Sequence, residues 1–279
     1  MTRAYTVVDA FARRPLEGNP VAVFVAADGL SGELMQRIAR ELNLSETTFV
    51  LAAEGDGDFR VRIFTPVNEL PFAGHPTLGT VVALQAIHGF DRVRLETAMG
   101  LIACTIDGDR VEMRQPLPTW RAFDEPDALL AALGVAASVT PVEIYRNGPR
   151  HVFVGVESVD ALSALHPDHR ALSRFEDVAV NCFAGAGQAW RARMFSPAYG
   201  VVEDAATGSA AGPLAVHLAR HGLASWGADH EIVQGVEIGR RSVMHARAEG
   251  AGDRVLDVAV GGHAVVAGRG ELYLQEIAR

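Results

Sequence analysis

Three side chains of this sequence have the types that proton transfer to and from carbon needs: Glu46, His75 and Asp204. A carboxyl group or an imidazole does that work when burial or neighbouring charge moves its pKa towards neutrality. His75 stands inside the phrase Ala73-Gly74-His75-Pro76, and Asp204 stands shortly before Thr207-Gly208-Ser209-Ala210. Both phrases read as glycine-led helix starts. The first-turn amides of such a start carry a partial positive charge and have no partner in their own helix, which makes a site for a small anion. Two of them converging on one cleft would hold a carboxylate without any arginine. For either phrase alone, a glycine that merely permits a tight strand-to-helix turn explains the residues equally well. Glu46 follows Leu42-Asn43-Leu44-Ser45 where a strand begins. On the residues alone Glu69 and Glu203 remain its rivals, and Asp204 could simply cap the backbone.

Duplication favours the functional reading. Phe64-Thr65-Pro66 precedes the first phrase as Phe195-Ser196-Pro197 precedes the second, and Gly18-Asn19-Pro20-Val21-Ala22-Val23-Phe24-Val25 resembles Asn147-Gly148-Pro149-Arg150-His151-Val152-Phe153-Val154. Pro149 against Pro20, Phe195 against Phe64 and Gly208 against Gly74 give offsets of 129, 131 and 134 residues. A period that long is a duplicated fold unit and not a solenoid repeat.

The elements that must position these groups follow from periodicity. Alternation predicts strands at Phe59–Phe64 and Arg191–Phe195, each ending two residues before a proline. Further strands are expected at 7–9, 21–25, 48–51, 93–96, 101–106 and 111–114, and in the second half at 143–145, 152–156, 178–181, 243–249 and 254–260. Helices are expected over 31–41, behind a serine cap, and over 77–88 and 212–220. The last two are apolar nearly all round, so each should be buried. The fold class is therefore α+β: two pseudo-symmetric halves, each a curved mixed sheet wrapped around a central apolar helix. Gln115-Pro116-Leu117-Pro118-Thr119 reads as the hinge. This divides the chain into residues 1–117, carrying Glu46 and His75, and 118–279, carrying Asp204 and Ser209, with the last strand free to return to the first half.

Composition narrows the function classes. The 279 residues are 49% hydrophobic and 21% charged, enough for two cores. A net charge of −9 and a pI near 5.6, with no basic cluster, speak against nucleic acid or an anionic membrane as partner. The N-terminus has no signal-like apolar segment and no apolar run is long enough to span a bilayer, so a soluble, cytoplasmic protein is expected. Cys104 and Cys182, one in each half, are expected to be buried reduced thiols. His217 and His221 lie four apart on a helix, but no third ligand stands at zincin spacing, so they read as structural and no metal is expected. Gly185-Ala186-Gly187 lacks the third glycine and the acidic partner of a dinucleotide site.

Several phrases together resemble the phenazine-biosynthesis isomerases, the PhzF-like family, within the diaminopimelate-epimerase-like fold. They are Glu17-Gly18-Asn19-Pro20-Val21-Ala22-Val23-Phe24, Leu42 to Phe49 with its Ser45-Glu46-Thr47 core, Phe64 to Pro76, and Asp204-Ala205-Ala206-Thr207-Gly208-Ser209-Ala210. Tyr145 to Phe153, His166 to Arg170 and Met194 to Glu203 are similar to the phenazine-pathway members in particular, and the likeness runs from about Val7 to Gly270. The resemblance implies isomerisation of trans-2,3-dihydro-3-hydroxyanthranilate to an aminoketone, two of which condense towards phenazines. It also implies a homodimer, no cofactor, catalytic roles for Glu46, His75 and Asp204, and substrate binding by Ser45, Gly74, Gly208 and Ser209. Amino-acid epimerases of the fold carry a thiol just before each glycine-led helix, where this chain has Ala73 and Thr207, so a two-thiol racemase is disfavoured. The other readings are a PhzF-like isomerase or epimerase of another small unsaturated or amino acid, and a non-catalytic carboxylate-binding module.

Overall fold

The computed structural model describes residues 2–274. Their strands join into one continuous 17-stranded sheet. Within it the sequence period returns as a repeated order of pairings. In the first copy Thr2–Ala10 lies antiparallel to Asn19–Phe24, which runs parallel to Glu46–Leu51, itself antiparallel to Phe59–Phe64. In the second copy Glu143–Arg146, Arg150–Gly155, Ala179–Ala186 and Ala189–Ser196 repeat those three relations in the same order. Each copy then makes a short antiparallel return, Glu69–Leu70 or Val201–Asp204, and enters an apolar helix. The strand after each helix, Arg92–Thr97 or His230–Gln234, pairs parallel with the strand that precedes the return, Phe59–Phe64 or Ala189–Ser196, and two antiparallel strands follow.

The two core helices are Gly74–His88 and Gly208–Arg220. Leu78, Val81 and Leu84 of the first, and Leu214, Val216 and Leu218 of the second, are at most 2% exposed. They share one core, which also takes in Phe72, Tyr145, Phe153 and Phe183. Burying each such side chain contributes about 1.5–3 kcal/mol. Two buried threonines of the first helix satisfy themselves locally: Thr77 and Thr80 donate to the carbonyls of Ala73 and Pro76, both at 2.7 Å.

Both helices begin earlier than their apolar runs imply, at Gly74 instead of Thr77 and at Gly208 instead of Gly212. The prolines near the two starts are tolerated for different reasons. Pro76 sits in the first turn, where a missing N–H costs nothing. Pro213 lies inside its helix and leaves the Ser209 carbonyl without its usual donor; Asn147 Nδ2 donates to that oxygen at 2.8 Å instead. Gln115 Nε2 likewise donates to the Gly208 carbonyl at 2.7 Å.

The outer faces are covered separately. Helix Gly32–Leu42, capped by Ser31, packs Met35 and Ile38 against Phe24, Phe49 and Phe64. Three short helices, Pro126–Leu133, Val159–Ser163 and His169–Leu172, close the other face around Leu129, Val152, Val154 and Leu162. The final strand runs from Arg254 to Tyr273, well past the expected Val260. It pairs with Ser242–Ala251, then Arg110–Arg114, then Thr2–Ala10, so one strand serves both copies.

Candidate active site

The two helix starts meet backbone to backbone. A Cβ on Gly74 would lie 2.4 Å from the Gly208 carbonyl carbon and from the Ser209 nitrogen. One on Gly208 would lie 2.7 Å from the Phe11 ring and 3.0 Å from the His75 nitrogen. Glycine at both positions is therefore a requirement of close approach. The residues before them, Ala73 and Thr207, supply no side-chain cap to either helix. Amides of both first turns thus converge on the same space, with two helix dipoles behind them.

That space is a cavity of about 290 Å³ whose walls include Glu46, Gly74, His75, Asp204, Gly208 and Ser209. Of the residues expected to be catalytic or to bind substrate, Ser45 alone lies outside: it precedes the strand that starts at Glu46 and does not reach the cavity wall. The rival carboxylates are already engaged. Glu69 accepts from Arg62 Nε and Nη2, both at 2.7 Å, and Glu203 accepts from Arg193 Nε and Nη2 at 2.9 and 2.8 Å. Glu46 has no such partner. Its Oε2 faces His75 Nε2 across 3.1 Å, yet the approach lacks hydrogen-bond direction and both atoms are buried without a partner.

The other nitrogen of His75 is held in place. Asn19 Nδ2 lies 3.2 Å from His75 Nδ1 and donates to Asp204 Oδ1 at 2.8 Å and to the Ala206 carbonyl at 3.0 Å. An amide N–H beside Nδ1 assigns the imidazole proton to Nε2, the nitrogen on the Glu46 side of the ring. Asp204 also accepts from the Thr207 hydroxyl at 2.8 Å, and Gln234 Nε2 donates to the Asp204 carbonyl and to Thr207 Oγ1, both at 2.9 Å. Asn19 and Gln234 escaped the sequence reading as site residues. The available signal was an asparagine in the repeated Asn-Pro phrase, polar where an apolar strand begins.

Burial sets the electrostatics. It raises the Glu46 carboxyl well above its usual range, and the nearby Asp204 charge raises it further. Burial also pushes Asp204 up to about 6, against the hydrogen bonds from Thr207 and Asn19 that favour its charged form. His75 is pushed down to about 3 by burial, so the Glu46–His75 contact involves a neutral imidazole and is not an ion pair. Neither thiol takes part: Cys104 and Cys182 are free and buried in strands, and burial pushes each up to about 12. His217 and His221 do find a third neighbour, Glu143, which reaches them from a strand far away in sequence. Arg220 Nη1 donates to that same carboxylate at 2.7 Å, and a fixed cation there opposes a metal ion.

Two duplicated sheet-and-helix units with touching, uncapped helix starts and an open carboxyl group define a protein of the diaminopimelate-epimerase-like fold. The chain belongs to the phenazine biosynthesis-like protein family (PhzC-PhzF), which matches residues 8–270. It is 66% identical over 275 residues to trans-2,3-dihydro-3-hydroxyanthranilate isomerase of Pseudomonas aeruginosa, covering 97% of this chain and 99% of that one. A phenazine biosynthesis protein of the PhzF family from Bacillus anthracis superposes with a TM-score of 0.86 at 25% identity, covering 98% of this chain and 100% of that chain. A hydroxyproline epimerase from Agrobacterium vitis shares the fold alone, with a TM-score of 0.67 at 14% identity over 99% of this chain and 92% of that one.

Proposed function

We propose that this chain is an isomerase that converts trans-2,3-dihydro-3-hydroxyanthranilate to an aminoketone by moving one proton with Glu46. The observation that carries the reading is the state of Glu46: a buried carboxyl group with an unpartnered oxygen, 3.1 Å from a neutral histidine, beside two helix starts. The name of the Pseudomonas relative supports the choice of substrate.

The substrate carboxylate sits against the first-turn amides of Gly74, His75, Gly208 and Ser209. Its amino group faces the acidic side of the cavity, where a positive charge would lower the Glu46 pKa and release the base from its protonated resting form. Glu46 then removes the proton from the hydroxyl-bearing carbon. The electron pair spreads through the two double bonds to the carbon bearing the carboxyl group, where the helix starts stabilise the charge. The same carboxyl group returns the proton to that carbon, giving an enol that becomes a ketone. One C–H bond breaks, another forms, and no electrons leave the substrate, so the step needs no cofactor.

His75 places Nε2 3.1 Å from Glu46, and Asp204 holds His75 through Asn19, so the three act as one unit for general acid–base catalysis and orientation. Residues 1–117 and 118–279 are the two halves of the site, with the final strand shared. The working form is a cytoplasmic homodimer that binds no nucleic acid, in keeping with the acidic composition; light scattering of the purified protein tests the dimer. Incubation with trans-2,3-dihydro-3-hydroxyanthranilate tests the reaction. Loss of the diene absorbance supports it, and an unchanged spectrum with folded protein rejects it.

A further inference from the structure

Strand Arg150–Gly155 turns alternate residues to opposite sides. Val152 and Val154 face the outer core, whereas Phe153 packs on the second core helix, its ring centroid 5.4 Å from that of His217. His151 shares the face of Phe153 and reaches the cavity wall. It lies between Tyr145 and Ala179 on the neighbouring strands and is 1% exposed, yet neither ring nitrogen has a hydrogen-bond partner among the described residues. A doubly unpartnered buried imidazole is costly, and cavity-facing placement allows a ligand to supply what the protein does not.

We propose that His151 is a substrate-binding residue that hydrogen-bonds the ring hydroxyl of the substrate from the wall formed by the second half of the chain. The inference rests on the proposed function. The choice of the hydroxyl follows from matching groups in the cavity. The helix-start amides suit the carboxylate and the acidic pair suits the amine, which leaves the hydroxyl. A hydroxyl both donates and accepts, as does a neutral imidazole. Burial pushes His151 down to about 3, which keeps it uncharged and makes it a poor partner for an anion. The proposed ligand of His151 is thus the group that becomes the ketone oxygen.

Two stable aromatic probes test it, 3-hydroxyanthranilate and anthranilate, which differ only in that hydroxyl. Calorimetry with the wild-type protein should show tighter binding of 3-hydroxyanthranilate by about tenfold. His151→Leu should erase that preference and leave anthranilate affinity within about twofold, while His151→Gln, which keeps a donor and an acceptor, should restore part of it. Nitrogen-15 NMR of the wild-type imidazole provides a readout that needs no variant. A change in the His151 ring resonances with 3-hydroxyanthranilate and not with anthranilate supports the assignment. A retained preference in folded His151→Leu, or equal NMR responses to both probes, overturns it while leaving the proposed function standing. Failure of the wild-type protein to bind either probe counts against the substrate class itself and takes this inference with it.

Discussion

Glu46 and Glu143 both face histidines: Glu46 Oε2 lies 3.1 Å from His75 Nε2, and Glu143 Oε2 lies 3.3 Å from His217 Nδ1 and 3.0 Å from His221 Nε2. Around Glu143 every neighbour is a donor. Arg220 Nη1 at 2.7 Å and Tyr145 OH at 2.9 Å join the histidines, while His217 has Thr140 Oγ1 at 3.0 Å for its other nitrogen. Burial opposes the charge on Glu143, but these hydrogen bonds outweigh it and hold the carboxyl well below its usual range. Among the described residues no guanidinium or phenol hydrogen-bonds Glu46; burial and a second carboxylate hold it above that range. The same residue types thus make a locked structural knot at one end of the second helix and an open, unpartnered carboxyl group at the other. What separates them is whether the protein supplies partners for the charge or leaves that to a ligand.

The largest expected effect is on chemistry at the open site. Glu46→Gln should lower isomerisation by about a hundredfold or more while binding of 3-hydroxyanthranilate stays close to wild type, because the amide keeps size and polarity but cannot accept the proton. Turnover near the wild-type rate would remove Glu46 from its role. Glu143→Gln should do the reverse. It leaves two histidines without their anion and Arg220 with Asp253 alone, and should cost roughly 2–4 kcal/mol in denaturant unfolding, with kcat/KM of the folded variant within about threefold of wild type. A large loss of kcat/KM with stability intact would erase the distinction between the two sites.

The pH dependence of stability should have opposite signs. The folded pKa of Glu46 is raised, so its neutral form adds stability that is present below the unfolded value of about 4.3 and is lost as pH rises through the folded value. The melting temperature of Glu46→Gln should accordingly gain on wild type as pH rises above about 4.3 and then level off. The folded pKa of Glu143 is lowered, so its contribution is present above about 4.3 and lost in acid. The deficit of Glu143→Gln should therefore shrink as pH falls below that value. Scanning calorimetry across that range measures both, and parallel curves would refute the contrast. The smallest effect is expected from Cys104→Ser with Cys182→Ser, because neither thiol touches the cavity: activity should stay within a few-fold and any loss should follow stability. Inactivity of the folded double variant would bring thiol chemistry back.

How much of this was legible in the sequence depended on separation along the chain. The repeated phrases gave away both helix starts and their pairing, since glycine followed by a small or polar residue is a local signal. Glu46 could be named but not chosen over Glu69 and Glu203, because their disqualifying partners, Arg62 and Arg193, become neighbours only across strand pairings. Asn19, which touches both His75 and Asp204, acts over 56 and 185 residues of sequence, so its place in a repeated phrase marked a strand start and not its partners. The three outer helices of the second half have 8, 5 and 4 residues, too few for periodicity to show. The last strand runs past its expected end at residue 260 through Gly261 and Gly262, which make room in the sheet, a Cβ on Gly262 falling 2.5 Å from the Phe11 ring.

The most direct test of the central claim is a titration of carboxyl carbons in protein labelled with carbon-13 at glutamate Cδ, with Glu46→Gln and Glu143→Gln spectra assigning the two signals. The account predicts that in the ligand-free protein Glu46 titrates above the ordinary glutamate value of about 4.3 and Glu143 below it. A Glu46 carboxyl that is already ionised at or below that ordinary value would contradict the account, because the group assigned to hold and move the proton would then have none to hold.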